Sequence, residues 1–230
     1  MIEGVVFDFD GTLTELRLDF ERVRDEILKT LSRHLPDDRL NGKKSLYIIE
    51  MIHALAEGCD PETTRAIVHD GFHRLVELEC EAAQGRDVFP FTRDILGWLK
   101  ERGIRVAITT RNCMEALELT FKDLSDYVEV VVTRDHSTLL KPHPGQIEKA
   151  LERLQVEPHK ALMVGDHPTD IMAGKAFSVR TVGVLTGTTK REDLERAGAD
   201  YISADIRSLP EIIGALSETP ITADRVCRND

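Results

Sequence analysis

Val5-Val6-Phe7-Asp8-Phe9-Asp10-Gly11-Thr12-Leu13-Thr14 decides how this chain is read. A continuous apolar run predicts a central parallel strand covered on both faces, and the run stops at two carboxylates and a glycine. The acids then fall at the strand's carboxyl end, where open α/β sheets bind their ligands. Asp8 and Asp10 lie two positions apart, so on a continuing strand they share a face and repel unless a cation or a proton lies between them. The same Asp-x-Asp-Gly pattern also makes an ordinary strand-ending turn, because Asp bonds nearby backbone and Gly accepts positive φ. The remaining sequence separates the two readings.

From Leu16 to Val88 the pattern is helical. Asp19 is placed to cap a helix with Phe20, Val23, Ile27, Leu28 and Leu31 on one stripe, ending near Pro36. A second helix is expected from Ser45, carrying Leu46, Ile49, Ile52, Leu55 and Ala56, and Asp60-Pro61 starts a third that runs to Ala83. Residues 16–88 therefore read as a helical bundle inserted after the first strand. Between its first two helices, Gly42 beside Lys43 and Lys44 is a candidate substrate-binding loop, although solvated lysines at a loop are commoner. His69, His73 and Glu77 have metal-ligand spacing on the third helix but lack supporting residues.

From Pro90 onwards helices and strands alternate. Strands are expected at Ile104–Thr110, Val128–Thr133, Ala161–Val164, Val179–Leu185 and Asp200–Ile202, with helices between them, which predicts a doubly wound parallel sheet. The α/β core is assigned to 1–15 and 89–216, and the polar tail 217–230 is expected to be loosely held.

Composition narrows the function. The 230 residues are 41% hydrophobic, enough for a real core, and the formal net charge of −11 argues against a nucleic-acid surface. No apolar run is long enough to span a membrane and no leader pattern precedes the first strand, so a cytoplasmic protein without a membrane partner is expected. The four cysteines form no C-x-x-C pair, so reduced, mostly buried thiols are expected. No heptads point to an oligomeric state.

In an all-parallel sheet the strand tips face one crevice. Asp8 and Asp10 end the first strand, and Thr109 and Thr110 end the second. Lys141-Pro142-His143-Pro144 supplies a lysine before a helix, and Gly165-Asp166-His167-Pro168-Thr169-Asp170 adds two further acids. Four carboxylates, a hydroxyl and an ammonium suit chemistry on a phosphate ester assisted by a hard divalent cation.

In these four stretches, taken in this order, the sequence resembles the haloacid dehalogenase superfamily, in particular its phosphatases of the phosphoglycolate phosphatase type. Asp8 to Thr14 matches the first family motif, Thr109-Thr110-Arg111-Asn112 the second, Lys141 to Pro144 the third and Gly165 to Asp170 the fourth. The resemblance covers nearly the whole chain, including the inserted cap, and implies a Rossmann-like core.

It further implies a phosphoryl transfer in which Asp8 attacks phosphorus and Asp10 protonates the leaving group and then activates water. Asp8, the Asp10 carbonyl and Asp166 would hold magnesium (Mg2+), with Asp170 supporting from slightly farther out. Lys141 and a second-motif hydroxyl would bind the phosphoryl group, Thr110 being favoured over Thr109, with Arg111 and Asn112 beside them. The acid at Asp10 favours phosphoesters, and a small phosphorylated metabolite such as phosphoglycolate is the expected substrate. Two alternatives are a sugar phosphomutase of the β-phosphoglucomutase type and, in a different class, a non-catalytic phosphate-binding module.

Overall fold

The computed structural model describes residues 1–42 and 45–218. The chain divides into two compact units, one of residues 1–15, 88–111 and 123–230 and the other of residues 16–87 and 112–122.

The first unit is built on a six-stranded sheet of β1 (Gly4–Phe7), β2 (Arg105–Thr109), β3 (Val130–Val132), β4 (Ala161–Gly165), β5 (Arg180–Val184) and β6 (Tyr201–Ser203). All strand pairs are parallel and the order is β3-β2-β1-β4-β5-β6. The order reverses between β1 and β4, which places the ligand crevice at the carboxyl ends of those two strands. Every residue of β1 is buried, as its unbroken apolar run requires. One core cluster joins Val6, Ala107 and Met163 of the sheet to Ile147, Ala150, Leu151 and Leu154 of a single helix face.

Chain order supplies the helices. The second unit holds α1 (Phe20–Leu31), α2 (Asp37–Asn41), α3 (Ile48–Ala56), α4 (Pro61–Ala83) and α6 (Met114–Thr120). The first unit holds α5 (Thr92–Glu101), α7 (Gly145–Leu154), α8 (Pro168–Ala176), α9 (Arg191–Arg196) and α10 (Leu209–Glu218). The starts of α1 and α4 form as their caps dictate: Asp19 accepts from the Glu21 and Arg22 amides, and Asp60 from those of Glu62 and Thr63.

Several boundaries differ from the sequence reading for local reasons. The second expected helix begins at Ile48 instead of Ser45, because the Leu46 carbonyl accepts from Arg24 Nη1 at 2.6 Å. A short α2, absent from the sequence reading, follows Pro36. Edge strand β3 is shorter than expected, since the Val128 amide bonds back to Leu124 and Thr133 caps a 3₁₀ turn over Arg134–His136. Ser217 and Glu218, assigned above to the tail, complete α10, and the rest of that tail, with Lys43 and Lys44, lies outside the described residues. Asn112–Lys122, assigned above to the α/β core, groups with the helical unit, where Cys113 and Ala116 bury against Ala83. No helix among the described residues is long and apolar enough to cross a membrane.

Candidate active site

β1 delivers Asp8 directly into the crevice. The Asp8 amide donates to the Val164 carbonyl at 2.8 Å, extending the pairing with β4 by one residue before the chain turns away. The turn is tight: the Thr12 and Leu13 amides return to the Phe9 carbonyl, and the Gly11 amide reaches the Thr14 carbonyl at 2.8 Å. Phe9 and Leu13 are fully buried and anchor it, and Gly11 has φ +89°, a conformation natural to glycine. From this turn Thr12 Oγ1 lies 3.5 Å from Asp8 Oδ2 and 3.3 Å from Asp166 Oδ1.

Three carboxylates converge. Oxygen atoms of Asp8, Asp166 and Asp170 lie within 4.8 Å of one another, from the ends of β1 and β4 and the first turn of α8. Asp10, although grouped with them by sequence, is partly exposed and its side chain is outside this cluster. Only its backbone carbonyl is left as the cation ligand that the family resemblance implies.

Lys141 is 1% exposed and its ammonium is fully engaged. It donates to Asp8 Oδ1 at 2.6 Å, Asp170 Oδ1 at 2.7 Å and the Thr109 carbonyl at 2.9 Å. An ammonium has three donors, so the lysine fixes two carboxylates and a strand end at once. Asp170 Oδ2 also accepts the His167 amide at 3.0 Å, so both oxygens of this acid are bonded within the protein, as suits a supporting acid. Arg111 donates Nη1 to the Lys141 carbonyl at 2.5 Å and secures the lysine loop.

The electrostatics follow from burial. Asp8 is pushed well above the usual carboxylate range, first by desolvation and then by Asp170 and Asp166, with Lys141 opposing. Asp166 rises to about 7, again chiefly through burial and then through Asp170. Lys141 is held above its ordinary value because Asp170 and Asp8 outweigh its own desolvation, the largest single influence. Three buried acids facing one ammonium leave negative charge in excess, and a hard divalent cation held by Asp8 and Asp166 would offset it.

This gives a pH-dependent expectation. Asp166 binds its proton more tightly in the fold than at its ordinary value of 3.8, so metal-free protein loses stability as pH rises towards about 7. A cation bound there would take the proton's place. The rise in melting temperature on adding magnesium is therefore expected to be larger at about pH 8 than at about pH 6. An equal rise at both would contradict a cation seated on Asp166.

The remaining sequence candidates separate. Thr109 is fully buried and its hydroxyl has no hydrogen-bond partner among the described residues. Asn112 Oδ1 accepts the Cys113 amide at 2.8 Å at the start of α6. Gly42 is exposed at the end of α2, and Lys43 lies outside the described residues. His69 and His73 pair with Asp70 and Glu77 at 3.0 and 3.3 Å on an exposed helix face, and among the described residues they form no three-ligand group.

Sequence reading missed Gln146. Its side chain is fully buried, donates Nε2 to the Thr110 carbonyl at 2.8 Å and the Val132 carbonyl at 3.1 Å, and accepts the Lys141 amide at 3.3 Å. The available signal was a polar residue beside the apolar stripe of Ile147, Ala150, Leu151 and Leu154.

Comparison with known proteins agrees with this architecture. Residues 5–184 match the haloacid dehalogenase-like hydrolase family, and the chain belongs to that family. It is a hydrolase-class enzyme. Among its relatives, the pyrophosphatase PpaX of Anoxybacillus flavithermus is 30% identical over 225 residues, covering 94% of this chain and 99% of that protein. PpaX of Bacillus cereus strain Q1 is 28% identical over 227 residues, covering 95% of this chain and 99% of its own length. The fold is also that of CbbY from Rhodobacter sphaeroides, crystallised with phosphate, at a TM-score of 0.64 and 23% identity, with 91% of this chain and 96% of that one covered. The β-phosphoglucomutase of Clostridium difficile matches with a TM-score of 0.67 at 18% identity, covering 94% of this chain and 96% of its own.

Proposed function

We propose that this enzyme is a magnesium-dependent phosphatase that hydrolyses a small phosphorylated substrate through a phosphoaspartyl intermediate on Asp8. The observation that carries this reading is the buried Lys141, bonded at once to Asp8 and Asp170 within a three-carboxylate cluster. A site that merely bound phosphate would gain nothing from three acids. Bound magnesium would neutralise charge on the phosphoryl oxygens and the attacking carboxylate.

Lys141 holds one Asp8 oxygen in a fixed direction, leaving the other to attack phosphorus. As the new oxygen–phosphorus bond forms, the bond to the leaving group breaks, and Asp10 gives that oxygen a proton. Asp10 then takes a proton from water. The water oxygen bonds phosphorus, the Asp8–phosphorus linkage breaks, and phosphate and free Asp8 are regenerated.

Thr109, rather than Thr110, supplies the phosphate-binding hydroxyl in this reading. Phe7 pairs with Ile108, so the next step of the register sets Asp8 opposite Thr109 on one face of the sheet. Its buried hydroxyl is available to a phosphoryl oxygen. Thr109→Val is expected to lower kcat/KM about 100-fold, and Thr110→Val less than about 10-fold. The reverse ranking would return the role to Thr110.

Hydrolysis is preferred to phosphomutase chemistry because the relatives of highest identity above are named pyrophosphatases. Pyrophosphate and phosphoglycolate are the first substrates to assay, with phosphate release measured in magnesium and in chelator. Transfer to a sugar hydroxyl without phosphate release, or release unaffected by chelation, would overturn the reading.

A further inference from the structure

We propose that the turn after β5, through Thr186 and Gly187, is a positioning element for Asp166 and sets how tightly the site holds its divalent cation. The inference rests on the metal-assisted reading above.

Gly187 faces the carboxylate of Asp166. A Cβ placed on it would stand 1.7 Å from Asp166 Oδ2, 2.5 Å from Cγ and 2.9 Å from Cβ, so no larger residue fits without turning that acid. Gly187 lacks the positive φ of Gly11, so the requirement here is for space and not for backbone freedom. Gly11 presses on the same group: its hypothetical Cβ would stand 2.6 Å from Asp166 Oδ2 and 2.8 Å from Oδ1. Thr12 holds Oδ1 from a third direction at 3.3 Å.

Thr186 ties the two glycine turns together, its hydroxyl donating to the Gly11 carbonyl at 2.5 Å. Asp166 is thus confined by two bare backbones and one hydroxyl, with its oxygens kept near those of Asp8 and Asp170. Such outer support commonly governs metal affinity, because a ligand free to rotate must be ordered when the ion arrives. In sequence, Leu185-Thr186-Gly187-Thr188-Thr189 is indistinguishable from an ordinary strand-ending turn.

The test is a titration of metal-free, full-length protein with Mn2+ alone, following the free ion by electron paramagnetic resonance, alongside the melting temperature without metal. Gly187→Ala is expected to weaken Mn2+ binding by about 10-fold or more. Thr186→Val should weaken it in the same direction, and Thr186→Ser should restore it. Loss of melting temperature with unchanged Mn2+ affinity in both variants would assign the turn a merely structural role and overturn the proposal. Should Gly187→Ala fail to fold, the Thr186 pair decides alone. Wild-type protein that binds no Mn2+ would overturn the metal-assisted reading itself, an outcome distinct from variants that bind as well as wild type.

Discussion

Asp8→Asn is expected to lower magnesium-dependent hydrolysis of p-nitrophenyl phosphate by on the order of 10⁴-fold or more, while raising the melting temperature of the metal-free protein. The first effect follows, on the proposed reaction, from removing the charge of the oxygen that would attack phosphorus, with almost no change in shape. The second follows from linkage: an acid whose folded value lies above its unfolded one binds its proton more tightly in the fold, so at neutral pH its ionised form is the destabilising one. A neutral amide relieves repulsion from Asp170 and Asp166, and Lys141 keeps Asp170 and the Thr109 carbonyl as partners. Wild-type turnover would remove Asp8 from the nucleophile's role. A fall in melting temperature would show that the Lys141–Asp8 pair outweighs the burial of charge.

Lys141→Met should have the opposite effect on stability. Methionine fills much of the same volume but leaves Asp8 and Asp170 without their common cation, and removing one partner of a buried ion pair costs about 3–5 kcal/mol. Denaturant unfolding of the metal-free variant near neutral pH should show a loss of that size, together with near-complete loss of turnover. The deficit should shrink at about pH 5, where acids with raised values take up protons, and again on adding magnesium. A loss below about 1 kcal/mol would mean that the three acids do not depend on this lysine for their charge balance.

The fold was legible because its strongest signals are local. β1 and β4 are short apolar runs cut off by Asp and Gly, and each such end predicts both the strand and the position of its acids. That Lys141 and Asp8 face one crevice was legible as well, because an all-parallel sheet directs its strand tips to the same end.

Other features depend on space rather than on pattern. Choosing between Thr109 and Thr110 needs the register with β1, which adjacent threonines do not reveal. Saturation of all three Lys141 donors needs the position of the Thr109 carbonyl, a backbone group with no sequence signature. Gln146 acts through carbonyls from two different segments, and α6 packs with α4 through Ala116 and Cys113, a face too small to register as amphipathic.

That last association bears on protein engineering. The helical unit is drawn from two separate stretches, 16–87 and 112–122. A chimera made by exchanging only the long stretch for a relative's would keep the native short one, whose small buried side chains are cut to fit the original Ala83 and Cys80. Exchanging the helical unit between relatives thus calls for a two-piece graft, with the second piece made of α6 and its flanking residues.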